Sequence, residues 1–230
     1  MATAGPMTSG DDRCPPWYPH PAPTSEIPMR RLIVTSFSSL DGVAQAPGDP
    51  EEDPEGGFAY GGWIVPHFDE HMGEVMTGLL ERPCALLLGR RTYDIFAAHW
   101  PHSEEEVAAP LNDATKYVAS RGRPELTWQN SVLLDGHAGE AVARLKESDG
   151  PDLQVHGSMD LVQTLLGHRL VDELWLWTFP VVLGSGKRLF GAGTVPAALR
   201  LTDRTESTTG VMIATYELDG DVPTGSFAPE

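Results

Sequence analysis

The sequence predicts an α/β protein built on a mostly parallel sheet with an antiparallel edge. Three observations carry this. Residues 84–88 (CALLL) form an unbroken apolar run, the mark of a strand covered on both faces. Strands alternate along the chain with segments of helical apolar spacing, which calls for crossover connections. The last two β-favouring segments, 199–209 and 211–218, meet at Thr209-Gly210 and read as a terminal antiparallel pair.

The elements follow in order. Residues 1–28 are rich in Pro, Ala, Thr, Ser and Gly, show no apolar period, and are expected to be a disordered extension. The folded part is expected to span 29–220, with a flexible tail at 221–230. Residues 30–38 (RRLIVTSFS) make the first strand, with Leu32, Val34 and Phe37 as core candidates. It ends in Ser39-Leu40-Asp41-Gly42, where Asp41 is either part of a turn or a carboxylate facing a cleft. Residues 46–62 form a long acidic loop, of the kind that serves as a lid or binding loop or stays mobile. A helix over 68–81 places Met72, Val75, Met76, Leu79 and Leu80 on one face.

The buried strand at 84–88 runs into Gly89-Arg90-Arg91-Thr92-Tyr93-Asp94, with Thr92 as a candidate helix N-cap. Residues 116–119 (KYVA) make a strand ending in Ser120-Arg121-Gly122-Arg123. Residues 128–134 contain a further short strand, and 137–147 an amphipathic helix with Ala141, Val142 and Leu145 inward. Then come a strand through Leu153 and Val155, the Gly157-Ser158 turn, a helix over 159–166, and a strand over 172–179 that is apolar on both faces. A Gly-rich loop follows at 180–190.

Composition narrows the function. Sixteen Lys and Arg stand against 33 Asp and Glu, giving a net charge of −17 and a pI near 4.7. That charge argues against a nucleic-acid or anionic-membrane surface. No apolar run approaches the roughly 18 residues of a membrane span, and no basic-then-apolar leader opens the chain. The two cysteines, Cys14 in the Pro-rich segment and Cys84 in a buried strand, predict no disulfide and a reducing cytoplasm. Neither has zinc-ligand spacing, so no metal site is expected.

The candidate chemistry sits at strand ends. In Gly157-Ser158-Met159-Asp160, a glycine permits close backbone approach, Ser158 is a candidate N-cap, and the helix start offers unpaired N–H groups to an anion. Taken singly this is also an ordinary strand–turn–helix corner. Gly89–Thr92 repeats the architecture with two arginines, and Ser120-Arg121 adds a third, noteworthy in so acidic a chain. Three such corners suggest a ligand with more than one phosphate, such as a dinucleotide. The sequence lacks GxGxxG after the first strand, GxxxxGK[ST] and GxSxG. His156 reads as structural or cofactor-adjacent rather than as a catalytic base.

The segments GRRTYD (89–94), HGSMDLVQTLL (156–166) and LVDELWLWTFPVVLGSGKRLF (170–190) resemble the reductase family uniting dihydrofolate reductase-like proteins with the C-terminal reductase domain of bacterial riboflavin-biosynthesis deaminase/reductases. The resemblance implies a dihydrofolate reductase-like three-layer α/β/α fold with NADPH across the strand ends. Gly89, Arg90, Arg91 and Thr92 would form the first cofactor corner. Ser120 and Arg121 would hold the adenosine 2′-phosphate, and Gly157, Ser158, Met159 and Asp160 would form the second phosphate turn. Leu183, Gly184 and Gly186 would lie near the nicotinamide. The Trp63-x-x-Pro66 segment and the SLDG turn make Asp69 and Asp41 the candidate proton donors, with Trp63, Tyr93 and Trp100 against the substrate. The H-x-E…P-C-x-x-C deaminase signature is absent. The resulting expectation is an NADPH-dependent, homodimeric, cytoplasmic reductase acting on a small molecule, akin to 5-amino-6-(5-phosphoribosylamino)uracil reductase. The alternatives are a non-catalytic NADPH sensor and a homodimeric binding module.

Overall fold

The computed structural model describes residues 29–228; the 1–28 extension, expected to be disordered, lies outside the described residues. Eight strands and five α-helices follow one another as β1 (Leu32–Ser39), α1 (Glu70–Leu80), β2 (Cys84–Gly89), α2 (Arg90–His99), α3 (Ala108–Asp113), β3 (Lys116–Ala119), β4 (Ser131–Leu133), α4 (Ala138–Lys146), β5 (Asp152–His156), α5 (Met159–Gly167), β6 (Glu173–Phe179), β7 (Leu199–Glu206) and β8 (Met212–Leu218). They build one sheet in the order β4-β3-β2-β5-β1-β6-β8-β7. Every pairing from β4 to β6 is parallel, and β8 is antiparallel to both β6 and β7.

Period-two alternation sorts side chains into two cores. On one face Leu32, Val34, Leu87, Leu153 and Val155 pack with Val142 of α4 and Leu161, Val162 and Leu165 of α5. On the other face Leu86, Leu88 and Val118 meet Leu80 of α1, Tyr93 of α2 and Leu111 of α3. Beside that cluster, Met72 of α1 packs on Trp177, Phe179 and Ile213. This is the expected three-layer arrangement. The CALLL strand is central, between β3 and β5, and the two-faced apolar strand β6 lies between β1 and β8.

Segment ends differ from expectation where side chains intervene. The helix expected over 68–81 starts at Glu70, because Asp69 adopts extended geometry and accepts from the Met72 N–H at 2.9 Å. The strand expected to reach Thr209 stops at Glu206, because Ser207 Oγ accepts from the Val211 N–H at 2.9 Å and closes the turn. Residues 221–228 carry no regular secondary structure.

Topology locates a crevice. From β2 the chain moves outward to β3 and β4. From β5 it moves the opposite way, across β1 to β6. Right-handed crossovers in opposite directions put α2 and α5 on opposite faces. A gap therefore opens between them at the carboxyl ends of β2 and β5, where ligands bind in open α/β sheets.

Candidate active site

Gly157 and Ser158 end β5 in consecutive left-handed conformations, with φ of 62° and 55°. The expected N-capping by Ser158 does not occur: its hydroxyl makes no cap bond to α5. It accepts instead from the Gly89 N–H at 2.9 Å and donates to Thr92 Oγ1 at 2.8 Å. Thr92 is likewise not the cap of α2; Gly89 holds that position. One serine thus joins the two corners across the crevice. The first-turn N–H groups of α5, Met159 to Leu161, have no intrahelical acceptor and are left open.

The arginines divide into engaged and available. Arg91 Nη1 is 2.9 Å from Asp53 and 3.5 Å from Glu55, so it fastens the acidic loop to α2 rather than facing the crevice. Lys187 holds the same carboxylates, each at 2.7 Å, and Gln45 donates to the Asp53 and Glu55 carbonyls at 2.9 Å. The loop at 46–62 is therefore docked. Arg90 Nε pairs with Asp94 at 2.7 Å, while its Nη1 is buried without a hydrogen-bond partner. Arg123 pairs with Asp135 at 3.1 Å. Arg121 is exposed and forms no ion pair among the described residues. Next to it, Ser120 Oγ accepts from the Gly122 N–H at 3.2 Å.

Both candidate proton donors are occupied as acceptors. Asp41 Oδ1 accepts from Ser39 Oγ at 2.7 Å and from the Leu183 N–H at 3.0 Å; Oδ2 accepts from the Gly184 N–H at 2.9 Å. The Ser39 hydroxyl, followed by the Leu183 amide, holds Asp41 down at about 2. Asp69 splits its carboxylate between the Met72 N–H and Thr208, whose N–H and hydroxyl both donate at 2.7 Å. The Met72 and Thr208 hydrogen bonds lower its pKa as well. Both are ionised braces at neutral pH. The Leu183 and Gly184 amides are spent on Asp41. Gly186 faces inward: a Cβ there would lie 2.6 Å from Val43 Cγ1.

The expected aromatic wall is mostly core. Tyr93 is 1% exposed and its hydroxyl accepts from the Trp128 N–H at 2.9 Å. Trp63 is buried edge-to-face on Phe179 and donates to the Gln45 carbonyl at 2.8 Å. Trp100 is half-buried against Phe96 and His99. Sequence reasoning passed over Gln45, Asp53 and Lys187, whose ion-pair hub joins segments over 130 residues apart, beyond any local signal. It also passed over Thr35, a polar residue at an inward position of β1, which alternation does signal. Two grooves lie away from this crevice. One of about 690 Å³ along α1 is lined by Asp69, Glu70, Glu74, Glu81 and Glu106. Another, of about 460 Å³, lies near the amino ends of β1 and β6 by Arg31 and Asp172.

Residues 30–213 match the family described as the RibD C-terminal domain. The chain belongs to that family. Among relatives, the uncharacterized protein YyaP of Bacillus subtilis is 28% identical over 202 residues, covering 86% of this chain and all of YyaP. A putative riboflavin biosynthesis protein from Shewanella superposes with a TM-score of 0.59 at 21% identity, covering 82% of this chain and 99% of that one. Dihydrofolate reductase from Enterococcus faecalis, solved with NADP(H), gives 0.50 at 14% identity, covering 82% and 96%. At those identities the structures establish a shared fold. In this RibD C-terminal domain the open start of α5, the buried Arg90 nitrogen without a partner and Arg121, which forms no ion pair among the described residues, follow the carboxyl ends of β5, β2 and β3.

Proposed function

We propose that this chain is an NADPH-dependent reductase that passes hydride to a small planar heterocycle, carbonyl or imine substrate. The observation that carries the reading is the crevice joined by Ser158, with the α5 N-terminus left uncapped beside it. The family and the neighbouring dihydrofolate reductase solved with NADP(H) support it. The α5 first-turn amides and Arg90 would take the pyrophosphate, and Arg121 the 2′-phosphate. Bound NADPH would supply the hydride. Asp41 holds the 181–186 loop in place over the end of β1. Because Asp41 and Asp69 are both ionised at neutral pH, neither brings a proton, and solvent would deliver it.

A second copy would complete the assembly along β7, the sheet-edge strand, where Leu199 and Leu201 are exposed. A second reading, an NADPH sensor without turnover, is favoured by the commitment of both carboxylates to bracing. It predicts NADPH binding with no oxidation across pterins, pyrimidines and quinones.

Calorimetry with NADPH and NADH tests the reading. Arg121→Ala should weaken NADPH more than NADH. Arg91→Ala, which removes a loop contact, should leave that preference unchanged. No NADPH binding at millimolar concentration removes the proposal; equal loss of both cofactors in Arg121→Ala removes Arg121 from the 2′-phosphate.

A further inference from the structure

The acidic loop at 46–62 is a closed body with its own root in the core. The Gly62 N–H donates to the Ala46 carbonyl at 2.9 Å and the Ile64 N–H to the Pro47 carbonyl at 3.2 Å, which brings the two ends of the loop together. A surface loop closed in this way is an Ω-loop. Phe58 roots it among Val43, Trp63 and Phe179. Just ahead of that root, Gly56 and Gly57 hold φ of 71° and 74°, a backbone that glycine adopts at little cost. This glycine pair sets the segment 48–57 off from the buried root.

Asp53 and Glu55, both on that segment, reach the two walls of the crevice. On the α2 side they meet Arg91, at 2.9 and 3.5 Å. On the other side they meet Lys187, each at 2.7 Å. The Lys187 carbonyl accepts from the Ala44 N–H at 2.8 Å, shortly after the end of β1. Gln163 of α5 donates to the carbonyl of Leu189, two residues beyond Lys187. Arg91 thus stands on the α2 wall, and Lys187 on a segment bonded to α5. In the sheet, β5 lies between β1 and β2, the strand that leads into α2. The 48–57 segment is therefore a strap across the carboxyl end of β5, at the mouth of the crevice.

The strap is held in two ways. The buried Gln45 amide grips its backbone at the Asp53 and Glu55 carbonyls. The outer ion pairs lie in water, with the side chains of Arg91 50% and Glu55 66% exposed. Such pairs are individually weak, and a dissolved anion can reach them. Arg91 also follows the Gly89 corner and adjoins Arg90, whose Nη1 has no partner. A phosphate arriving at that corner meets a guanidinium already spent on two carboxylates. It can take their place, because its oxygens suit the same fork of donors.

We propose that the 48–57 strap is an autoinhibitory latch: Asp53 and Glu55 occupy Arg91 and Lys187 and close the crevice mouth, and a phosphate-bearing ligand opens it by taking Arg91 from them. The closure stands on the geometry of the strap; its opening by a cofactor phosphate rests on the reductase reading.

Hydrogen exchange of the 48–57 segment, read by mass spectrometry on the full chain, tests the latch. The double variant Asp53→Asn/Glu55→Gln should exchange there about tenfold faster than wild type, the loss of an exposed ion-pair network, while 84–88 of β2 stays slow as the control on folding. Millimolar inorganic pyrophosphate should speed the wild-type strap by a similar factor, compared with sodium chloride of equal ionic strength. Arg91→Gln, a change at a half-exposed side chain, should exchange fast from the outset and show no response to pyrophosphate. Two results overturn the proposal: wild-type exchange of the strap in both variants, or no acceleration of the wild-type strap by pyrophosphate beyond that of the chloride. NADPH that binds without speeding the strap also overturns the latch and spares the reductase reading. A strap that opens with pyrophosphate in a chain that binds no NADPH overturns the reductase reading and leaves the latch standing.

Discussion

Ser158 Oγ accepts the backbone N–H of Gly89 at 2.9 Å, and through that bond the turn after β5 is tied to the end of β2. The same oxygen donates to Thr92 Oγ1, so a single atom sets the width of the crevice between α2 and α5. Because the hydroxyl is used in this way, it does not cap α5, and the start of that helix remains available to an anion.

Ser158→Ala should destabilise the fold by about 1–2 kcal/mol, because it leaves the Gly89 amide without its partner. Urea unfolding measures this. NADPH affinity should fall with it, as the two corners lose their common anchor. Adding Thr92→Val should cost less than in wild type, since the bond between them is already gone; full additivity would show that they act independently.

Asp41 should matter as a brace rather than as an acid. Its pKa is held at about 2, below the ordinary value of 3.8. A depressed carboxylate contributes stability that is complete above the unfolded value and is lost as pH falls through the folded one. The contribution should therefore be intact above pH 4 and disappear toward pH 2. Asp41→Asn should flatten that acid limb and speed hydrogen exchange at the Leu183 and Gly184 amides. A turnover profile that loses an acid limb near neutrality in this variant would instead assign Asp41 to proton transfer.

Gly186 and Gly184 share a loop but should respond differently to alanine. At Gly186 φ is 131° and a Cβ would meet Val43 at 2.6 Å and the Phe58 ring at 3.0 Å. At Gly184 φ is 78° with nothing within 4 Å. Gly184→Ala should cost the backbone strain alone, about 1–2 kcal/mol. Gly186→Ala adds overpacking, roughly 1–3 kcal/mol more. Thermal unfolding of the two variants separates these contributions, and equal shifts would contradict the packing difference.

The sequence by itself determined the elements and their order, α3 apart. Periods of 2 and 3.6, the CALLL run and the Gly-Ser and Thr-Gly turns are local signals, and local backbone preference was enough to read them. It also marked Gly89, Ser120 and Gly157 as the carboxyl ends of parallel strands, where the structure places them. What each polar side chain does there was decided only by the tertiary structure. Ser158 meets Gly89 from 69 positions away, Asp41 meets Leu183 from 142, and Arg91 meets Glu55 from 36. A carboxylate that reads as an acid in the sequence becomes an ionised brace once two amides from a remote segment join the neighbouring Ser39 hydroxyl on it. A serine that reads as a cap becomes a bridge once an unpaired amide arrives from another strand. Hydrogen-bond partners of that kind are assigned by packing and register, and no window of neighbouring residues contains them.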